Sequence, residues 1–214
     1  MTRLILVRHG QSQSNLERVF TGQGNTQLTE LGRLQAQNTA DYLKDRHIDR
    51  IYASDLSRAM DTAYPTAQDH GLEIIPRREL REIYAGEWEG NRYEDLILRY
   101  PNEYTCWLQD IGNACPNGGE SVKELASRIY TEIDRILQEN RGKCVAIFTH
   151  ATPVRMMGCQ WFGLPVERAN EVPFCSNASL SIVEYEEDGT HRLICYGYDK
   201  HQGEHATAFP KKYV

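Results

Sequence analysis

Two histidines and two arginines stand where predicted secondary-structure elements begin or end. Arg8 and His9 directly follow the apolar run RLILV, and His150 directly follows the apolar run KCVAIFT. Arg58 lies at the start of a helix predicted to follow another strand. In open α/β sheets ligands bind beyond the carboxyl ends of the strands, so we expect these four side chains to converge on one site. Their charge and hydrogen-bonding groups suit a phosphate dianion.

These residue types could transfer a phosphoryl group. Arginines that hold the phosphate oxygens lower the charge barrier to attack at phosphorus. A neutral imidazole such as that of His9 can attack if its second nitrogen donates its proton to a fixed acceptor. A carboxylic acid must then protonate the leaving oxygen and later accept a proton from water. Residue types alone do not select that acid among the 30 aspartates and glutamates.

Each of the four residues also has a purely structural interpretation. His9 and His150 could brace the turns at the strand ends, and Arg58 could be a solvated surface cation. A metal site built on the two histidines is disfavoured, because no H-E-x-x-H or similar spacing occurs and neighbouring arginines would repel a divalent cation. The joint placement of the four residues favours the phosphate site.

The elements that must position these residues alternate between strands and helices. Apolar runs and a turn signal at Asp188-Gly189 predict strands at residues 3–7, 49–53, 72–76, 143–149, 178–186 and 191–198. Capping signals and apolar periodicity predict helices from Thr29 to about 46, from Ser54 or Asp55 to about 69, over 92–100, from Ser121 to 137, and after Thr152. Pro76 is expected to end its strand, residues 10–27 to form a long loop, and the polar tail 199–214 to be partly loose.

This alternation predicts an α/β fold with a mostly parallel sheet and an antiparallel edge hairpin. We expect one domain over residues 1–214, with residues 84–118 as a helical insertion or cap. The aromatic residues of this insertion are interpreted as its core rather than as a rim that grips a leaving group.

Composition excludes several classes of partner. The chain has 24 Lys and Arg against 30 Asp and Glu, a formal net charge of −6. Nucleic-acid and anionic-membrane binders need a basic surplus, so neither partner is expected. No apolar run has the length of a signal or membrane-spanning segment, which predicts a cytoplasmic location. The six cysteines contain no C-x-x-C pair and are expected to be reduced thiols, several of them buried.

Five segments together carry a family resemblance. LVRHGQSQSN, TGQGNTQLTELGRLQA, YASDLSRAMDTA, LREIYAGEWEG and FTHATPVR occur in this order over nearly the whole chain. They resemble the histidine phosphatase superfamily, which is also called the phosphoglycerate-mutase-like or RHG family. The resemblance implies a three-layer αβα sandwich, a phosphohistidine intermediate, and no metal or other cofactor.

The resemblance also implies a role for each matching residue. His9 would be the nucleophile that becomes phosphorylated, and Glu82, in LREIYAG, would be the proton donor. The groups that hold the transferred phosphoryl group would be the side chains of Arg8, Asn15, Arg58 and His150 and the backbone amide of Ala151. The substrate pocket would be lined by Thr21 and Gly22.

Departures from the family pattern bear on the reaction. Gln11 stands where the family more often has glutamate, which we interpret as tolerated variation. Mutases of the family hold a substrate carboxylate with an arginine pair after the acid and a lysine shortly before that pair. Here Tyr93 aligns with the lysine, and no arginine occurs between Arg99 and Arg128. A bound carboxylate would lose its charge-assisted partners, so we expect hydrolysis of a small phosphorylated metabolite.

Two other functions are carried as alternatives. A phosphoglycerate mutase would use the same phosphohistidine. A non-catalytic binding module would keep the fold but lose a reactive residue, and His9, Arg58 and Glu82 are all present. The sequence does not identify the metabolite, and it leaves a homodimer open.

Overall fold

A single six-stranded sheet forms the centre of the computed structural model, which describes residues 1–208. Its strands are β1 (Thr2–Arg8), β2 (Arg50–Ser54), β3 (Ile74–Arg77), β4 (Cys144–Thr149), β5 (Leu180–Tyr185) and β6 (His191–Tyr198). Their order across the sheet is β3-β2-β4-β1-β5-β6. The pairs from β3 to β1 are parallel, whereas β5 is antiparallel to β1 and to β6. The predicted mostly parallel sheet with an antiparallel edge hairpin is confirmed.

Helices connect the strands and cover the sheet. The α-helices of the described residues are α1 (Gln13–Glu17), α2 (Glu30–Leu43), α3 (Ser57–His70), α4 (Tyr93–Arg99), α5 (Pro101–Gln109), α6 (Val122–Glu139) and α7 (Ala151–Trp161). Short 3₁₀ helices lie at Arg78–Leu80, Gly86–Trp88, Ile111–Asn113, Val166–Glu171 and Lys200–His205.

The two faces of the sheet are buried in two separate cores. Leu4 and Leu6 of β1 pack with residues of α6, α7 and the 84–118 segment. Ile5 and Val7, which point to the opposite face, pack with residues of α2 and α3. Because both faces are covered by helices, β1 and β4 are continuous apolar runs rather than alternating ones. The three-layer αβα arrangement implied by the family resemblance is confirmed.

The aromatic residues of the 84–118 segment differ in how deeply they are buried. Trp88 and Tyr104 are fully buried, and their rings meet edge to face with centroids 5.5 Å apart. The Trp88 indole donates a hydrogen bond to the Asn117 side-chain oxygen at 3.1 Å. The core interpretation is confirmed for these two residues.

The expected single domain extends to residue 214, so its last six residues lie outside the described part.

The predicted start of α3 is wrong by one or two residues. Its N-cap is Leu56, which makes no side-chain capping bond. Both predicted caps have distant partners, and the Ser54 hydroxyl keeps only a long bond from the Leu56 amide, at 3.4 Å. The Ser54 hydroxyl lies 2.8 Å from Nε2 of His150, and the Asp55 carboxylate pairs with Arg81 at 2.6 Å. Tertiary contacts therefore take the place of the capping hydrogen bond that the local sequence predicted.

Two further local predictions are corrected. Residues 10–27 are not all loop, because α1 lies within them and begins with a capping box between Ser12 and Asn15. Pro76 does not end β3 but pairs with Ala53 inside it. Proline is tolerated there because β3 is an edge strand, so its missing N–H costs no ladder hydrogen bond.

The described part of the tail is packed rather than loose. The 3₁₀ helix Lys200–His205 lies against α2, and Gln202 is buried. Its side-chain amide donates to the Gln35 carbonyl and the Thr39 hydroxyl, both at 3.1 Å. The predicted loose tail is therefore wrong for this segment, while its end, residues 209–214, lies outside the described residues.

All six cysteines are free thiols, and Cys144, Cys159 and Cys175 are buried, as expected. Within residues 1–208, no helix combines the length and the apolar character that crossing a bilayer requires.

Candidate active site

The nine predicted site residues come together at the carboxyl ends of the parallel strands. Arg8 pairs with Thr149 in the β1–β4 ladder, so His9 and His150 leave the sheet side by side. Their ring centroids lie 5.1 Å apart, edge to face. Eight of the nine predicted residues, all except His150, line one cavity: Arg8, His9, Asn15, Thr21, Gly22, Arg58, Glu82 and Ala151.

The His9 ring is held in the tautomer that a nucleophile needs. Its Nδ1 lies 2.7 Å from the carbonyl oxygen of Gly10. A carbonyl can only accept, so Nδ1 carries the proton and Nε2 keeps its lone pair. The pKa of His9 is lowered well below its usual 6.5 by burial, and then by the positive charges of Arg58 and Arg8. A neutral ring with a free Nε2 is therefore the resting form.

Gly10 fixes the carbonyl that holds this ring. Its amide donates to the Thr62 hydroxyl at 3.0 Å, and a Cβ at this position would lie 2.5 Å from the carbonyl oxygen of Gly32. A side chain would push the chain away from α2 and move the acceptor of His9. The glycine of the Arg-His-Gly triplet thus permits a close backbone approach directly after His9.

Two buried arginines supply fixed positive charge. Arg58 donates from its two terminal nitrogens to the carbonyl oxygens of Gly22 and Gly24, at 2.8 and 2.9 Å. Burial lowers the pKa of Arg58 to about 10, so it remains a cation at neutral pH. Arg8 donates to the Cys175 carbonyl and lies over the Phe174 ring, 4.7 Å from its centroid.

Two polar atoms in this cluster lack partners within residues 1–208. They are Nε of Arg8 and Nδ1 of His150, and both are buried. Nε2 of His150 lies 2.8 Å from the Ser54 hydroxyl; if that hydroxyl donates, Nδ1 carries a proton. Burial, reinforced by Arg58, lowers the pKa of His150 well below its usual range, so the ring is neutral. Buried donors without acceptors are costly, and an oxyanion would satisfy both.

The amino end of α7 orients the carboxylate of Glu82. The helix begins at Ala151 with His150 as its N-cap, so the predicted cap at Thr152 is wrong. The Thr152 amide donates instead to Oε2 of Glu82 at 3.2 Å, and the Ile83 amide donates to Oε1 at 2.9 Å. These two bonds hold the carboxyl group at the cavity wall, beside the helix end that favours an anion.

Arg128, which the sequence analysis did not select, holds the backbone that carries Glu82. Its guanidinium donates to the carbonyl oxygens of Glu79 and Arg81, at 2.6 and 3.0 Å. It also forms a two-bond ion pair with Glu120, at 2.9 and 2.8 Å. No local signal could have identified this role, since the carbonyl oxygens that Arg128 holds lie 49 and 47 positions away in the sequence.

Asn15 keeps its side-chain NH₂ group available. Its Oδ1 accepts from the Ser12 amide and from the Asn177 side chain, both at 3.1 Å. Because the oxygen is used inside the protein, the donor side of the amide is left for an anion. Asn177 also donates to the His9 carbonyl at 3.2 Å and so connects Asn15 to the backbone of His9.

The cavity has further lining residues that the sequence analysis did not assign to it. They are Ser12, Phe20, Tyr93, Trp107, Ile111, Thr152, Arg155 and Phe174. Tyr93 and Trp107 line this cavity and also pack against the core of the 84–118 segment, so the interpretation of them as a rim that grips a leaving group stays a prediction. Burial raises the pKa of Tyr93 to about 12, so its phenol is neutral at pH 7. Arg155 had a usable signal, because it lies four residues after Ala151 and shares that helix face.

Among the residues that the structure describes, no three or more His, Cys, Asp or Glu side chains are grouped so as to hold a metal ion. The side chains around the cavity instead suit an oxyanion.

Comparisons with known proteins agree with this arrangement. The family model of the histidine phosphatase superfamily (branch 1) matches residues 4–195. Phosphoserine phosphatase 1 of Hydrogenobacter thermophilus is 31% identical over 187 residues, which cover 87% of this chain and 88% of the relative. A probable phosphoglycerate mutase GpmB of Shigella boydii is 31% identical over 191 residues, which cover 87% of this chain and 86% of the relative. A mycobacterial glucosyl-3-phosphoglycerate phosphatase solved with VO3 superposes with a TM-score of 0.85 at 28% identity, covering 92% of this chain and 99% of that one.

Proposed function

The chain belongs to the histidine phosphatase superfamily, and on this premise we propose that it hydrolyses a phosphomonoester of a small metabolite through a phosphohistidine on His9. The observation that carries the proposal is the neutral, buried His9 ring whose Nε2 is free, set beside two arginines in the same cavity. Names of relatives such as phosphoserine phosphatase and glucosyl-3-phosphoglycerate phosphatase support hydrolysis.

In the first step Nε2 of His9 attacks phosphorus as the bond from phosphorus to the ester oxygen breaks. Arg8, Arg58 and the Ala151 amide hold the phosphoryl oxygens and offset their charge. The protonated carboxyl group of Glu82 gives its proton to the leaving oxygen. The product alcohol departs, and the Gly10 carbonyl stabilises the positive charge on the phosphorylated imidazole through Nδ1–H.

In the second step the Glu82 carboxylate takes a proton from water as the water oxygen attacks phosphorus. The nitrogen–phosphorus bond breaks, inorganic phosphate is released, and the neutral His9 ring and the protonated Glu82 are restored. Protons and charges balance over the two steps, and water is the only co-reactant.

Mutase activity is the second candidate, because a relative is named a probable phosphoglycerate mutase. It requires a site that excludes water and returns the phosphoryl group to a second hydroxyl. The neutral Tyr93 phenol, where mutases have a lysine, favours hydrolysis instead.

The two reactions are separated by a phosphate-release assay. We expect the purified protein to release stoichiometric phosphate from p-nitrophenyl phosphate and from members of a panel of small phosphomonoesters, without an added bisphosphate. Chelation by EDTA is expected to leave the rate unchanged, since no step uses a metal. Isomerisation of phosphoglycerate without phosphate release, or a requirement for a bisphosphate, would establish the mutase.

Cytoplasmic location, the absence of a nucleic-acid partner and a homodimer stay predictions.

The lowered pKa of His9 leads to a prediction on pH. A ring whose pKa lies well below 6.5 stays unprotonated, and hence nucleophilic, as the pH falls from about 8 to about 6. Nitrogen-15 NMR of histidine-labelled protein should therefore show the His9 signal, assigned by its loss in His9→Ala, unchanged across this range. The same residue in the urea-unfolded chain should titrate near 6.5. A folded-state midpoint at or above that value would remove the basis for a neutral nucleophile.

A further inference from the structure

The carbonyl group that accepts the Nδ1 proton of His9 belongs to the peptide unit that joins Gly10 to Gln11. The amide of the same unit, the Gln11 N–H, donates to Oε1 of Gln35 at 2.8 Å. Gln35 lies on α2, 24 positions further along the chain, and it is fully buried. One peptide unit therefore has the ring of His9 at its carbonyl and Gln35 at its amide.

The orientation of the Gln35 side-chain amide follows from its two partners. Its Oε1 faces the Gln11 N–H, which can only donate. Its Nε2 donates to the carbonyl oxygen of His205 at 2.7 Å, which can only accept. Exchanging the two side-chain atoms would bring two donors together and two acceptors together. The C-terminal 3₁₀ helix Lys200–His205 thus keeps the oxygen of Gln35 directed at the Gln11 amide.

The preceding peptide unit, which joins His9 to Gly10, is held by Thr62 of α3. The Thr62 hydroxyl donates to the Arg58 carbonyl at 2.6 Å, so its lone pairs are left to accept from the Gly10 amide at 3.0 Å. Thr62 is also fully buried. Two side chains from different helices therefore fix the two amides on either side of the Gly10 carbonyl.

These hydrogen bonds bear on the charge that forms on His9 in the proposed reaction. The ring becomes positive as Nε2 binds phosphorus, and the Gly10 carbonyl offsets that charge through Nδ1–H. A carbonyl is a stronger acceptor when the amide of its own peptide unit is itself hydrogen-bonded, because bonds in a chain polarise one another. The bond to Gln35 therefore stabilises the phosphorylated ring, whereas binding of the phosphate group does not use it.

Building on the proposed function, we propose that Gln35 and Thr62 are positioning residues for the nucleophile. Together they hold and polarise the Gly10 carbonyl, which keeps the His9 ring in its reactive tautomer and stabilises its positive charge. Neither is among the described residues that line the catalytic cavity, so both act through the backbone of residues 9–11.

Gln35→Met tests the first contact, because it removes the acceptor and keeps a side chain of similar size. We expect kcat/KM for p-nitrophenyl phosphate to fall about tenfold or more, the scale on which outer hydrogen-bond partners act on ligating histidines in metal sites. The inhibition constant of inorganic phosphate should change less than about threefold, since a group that acts only as charge forms on the ring leaves ground-state binding unchanged. Gln37→Met, at an exposed glutamine of the same helix, is the matched control.

Thr62→Val tests the second contact and has a matched control in Thr66→Val. Both threonines are fully buried on α3 and lie one turn apart. The Thr66 hydroxyl makes no hydrogen bond among the described residues, so its removal should leave kcat/KM unchanged. Thr62→Val is expected to lower kcat/KM as Gln35→Met does, because the Gly10 amide loses its acceptor while the side chain keeps its shape.

NMR of the His9 ring gives a readout that a loss of stability alone would not move. In histidine-labelled wild-type protein we expect a slowly exchanging Nδ1–H signal that is absent from His9→Ala. In folded Gln35→Met and Thr62→Val this signal should move upfield and exchange faster with water, since the carbonyl that accepts the proton is weaker or displaced. The two control variants should keep the wild-type signal.

Wild-type kcat/KM in either folded variant would overturn the inference. A reduced kcat/KM with an unchanged His9 signal, or a parallel loss of phosphate affinity, would do the same, because either result places the effect elsewhere in the site. If Gln35→Met does not fold, as circular dichroism would show, the isosteric pair Thr62→Val and Thr66→Val carries the test. A wild-type protein without phosphatase activity would reject the proposed function, and the NMR comparison would still decide whether the two side chains hold the His9 ring.

Discussion

Replacing His9 by alanine is expected to abolish turnover and the acid-labile phosphate on the protein together. The variant lacks the nitrogen that forms the bond to phosphorus, while the cavity, Arg8 and Arg58 remain. Loss of a catalytic nucleophile typically lowers kcat by about 10⁴-fold or more. The measurement is phosphate release, combined with acid and base treatment of protein quenched during turnover with labelled substrate. Phosphohistidine is labile in acid and stable in base.

The control for this variant is His47→Ala. His47 is a histidine whose side chain is 80% exposed, so its loss should leave both readouts intact. If His9→Ala kept either turnover or acid-labile labelling, the nucleophile would be another residue. Labelling that is stable in acid but lost in base would point to an acyl phosphate on a carboxylate instead.

Replacing Glu82 by glutamine should slow hydrolysis most for substrates whose leaving oxygen must be protonated before it departs. With alkyl phosphates the loss should be about 100-fold or more, the usual scale for general acid catalysis. With p-nitrophenyl phosphate, whose phenolate leaves without protonation, the loss should be much smaller. The glutamine oxygen can keep one of the two amide bonds, from Ile83 or from Thr152, that orient the carboxylate. The dependence on the leaving group therefore distinguishes lost proton transfer from lost positioning.

Glu79→Gln is the control for this prediction, because Glu79 lies in the same segment and its side chain is exposed. Its substitution should change neither substrate's rate. An equal loss for alkyl and p-nitrophenyl phosphates in Glu82→Gln would assign Glu82 a structural role and require another proton donor.

Much of the fold followed from local signals in the sequence. The apolar runs before His9 and His150 predicted β1 and β4, and both lie side by side at the centre of the sheet. The capping box of Ser121 and Glu124 predicted the start of α6, where both of its hydrogen bonds are formed. Such signals succeed because they depend on hydrogen bonds within one turn and on a periodicity repeated along one element.

Local signals failed where a distant segment competed for the same group. Ser54 and Thr152 were both predicted as helix caps. In the structure the Ser54 hydroxyl contacts His150, 96 positions away, and the Thr152 amide binds Glu82, 70 positions away. Both failures lie in the site itself, where functional geometry replaces the locally preferred contact.

The sequence by itself determined the family, the sheet and the identity of the residues that meet at the carboxyl ends of the parallel strands. Only the tertiary structure decided the tautomer of His9, the support of Glu82 by Arg128 and the burial of Arg155 in the cavity wall. The physical reason is that residue types and their spacing reflect interactions between residues that are close in sequence. The burial of a side chain depends instead on every segment that packs around it. An arginine is usually a solvated surface cation, and only the packing of several distant segments buries Arg155 in the cavity wall.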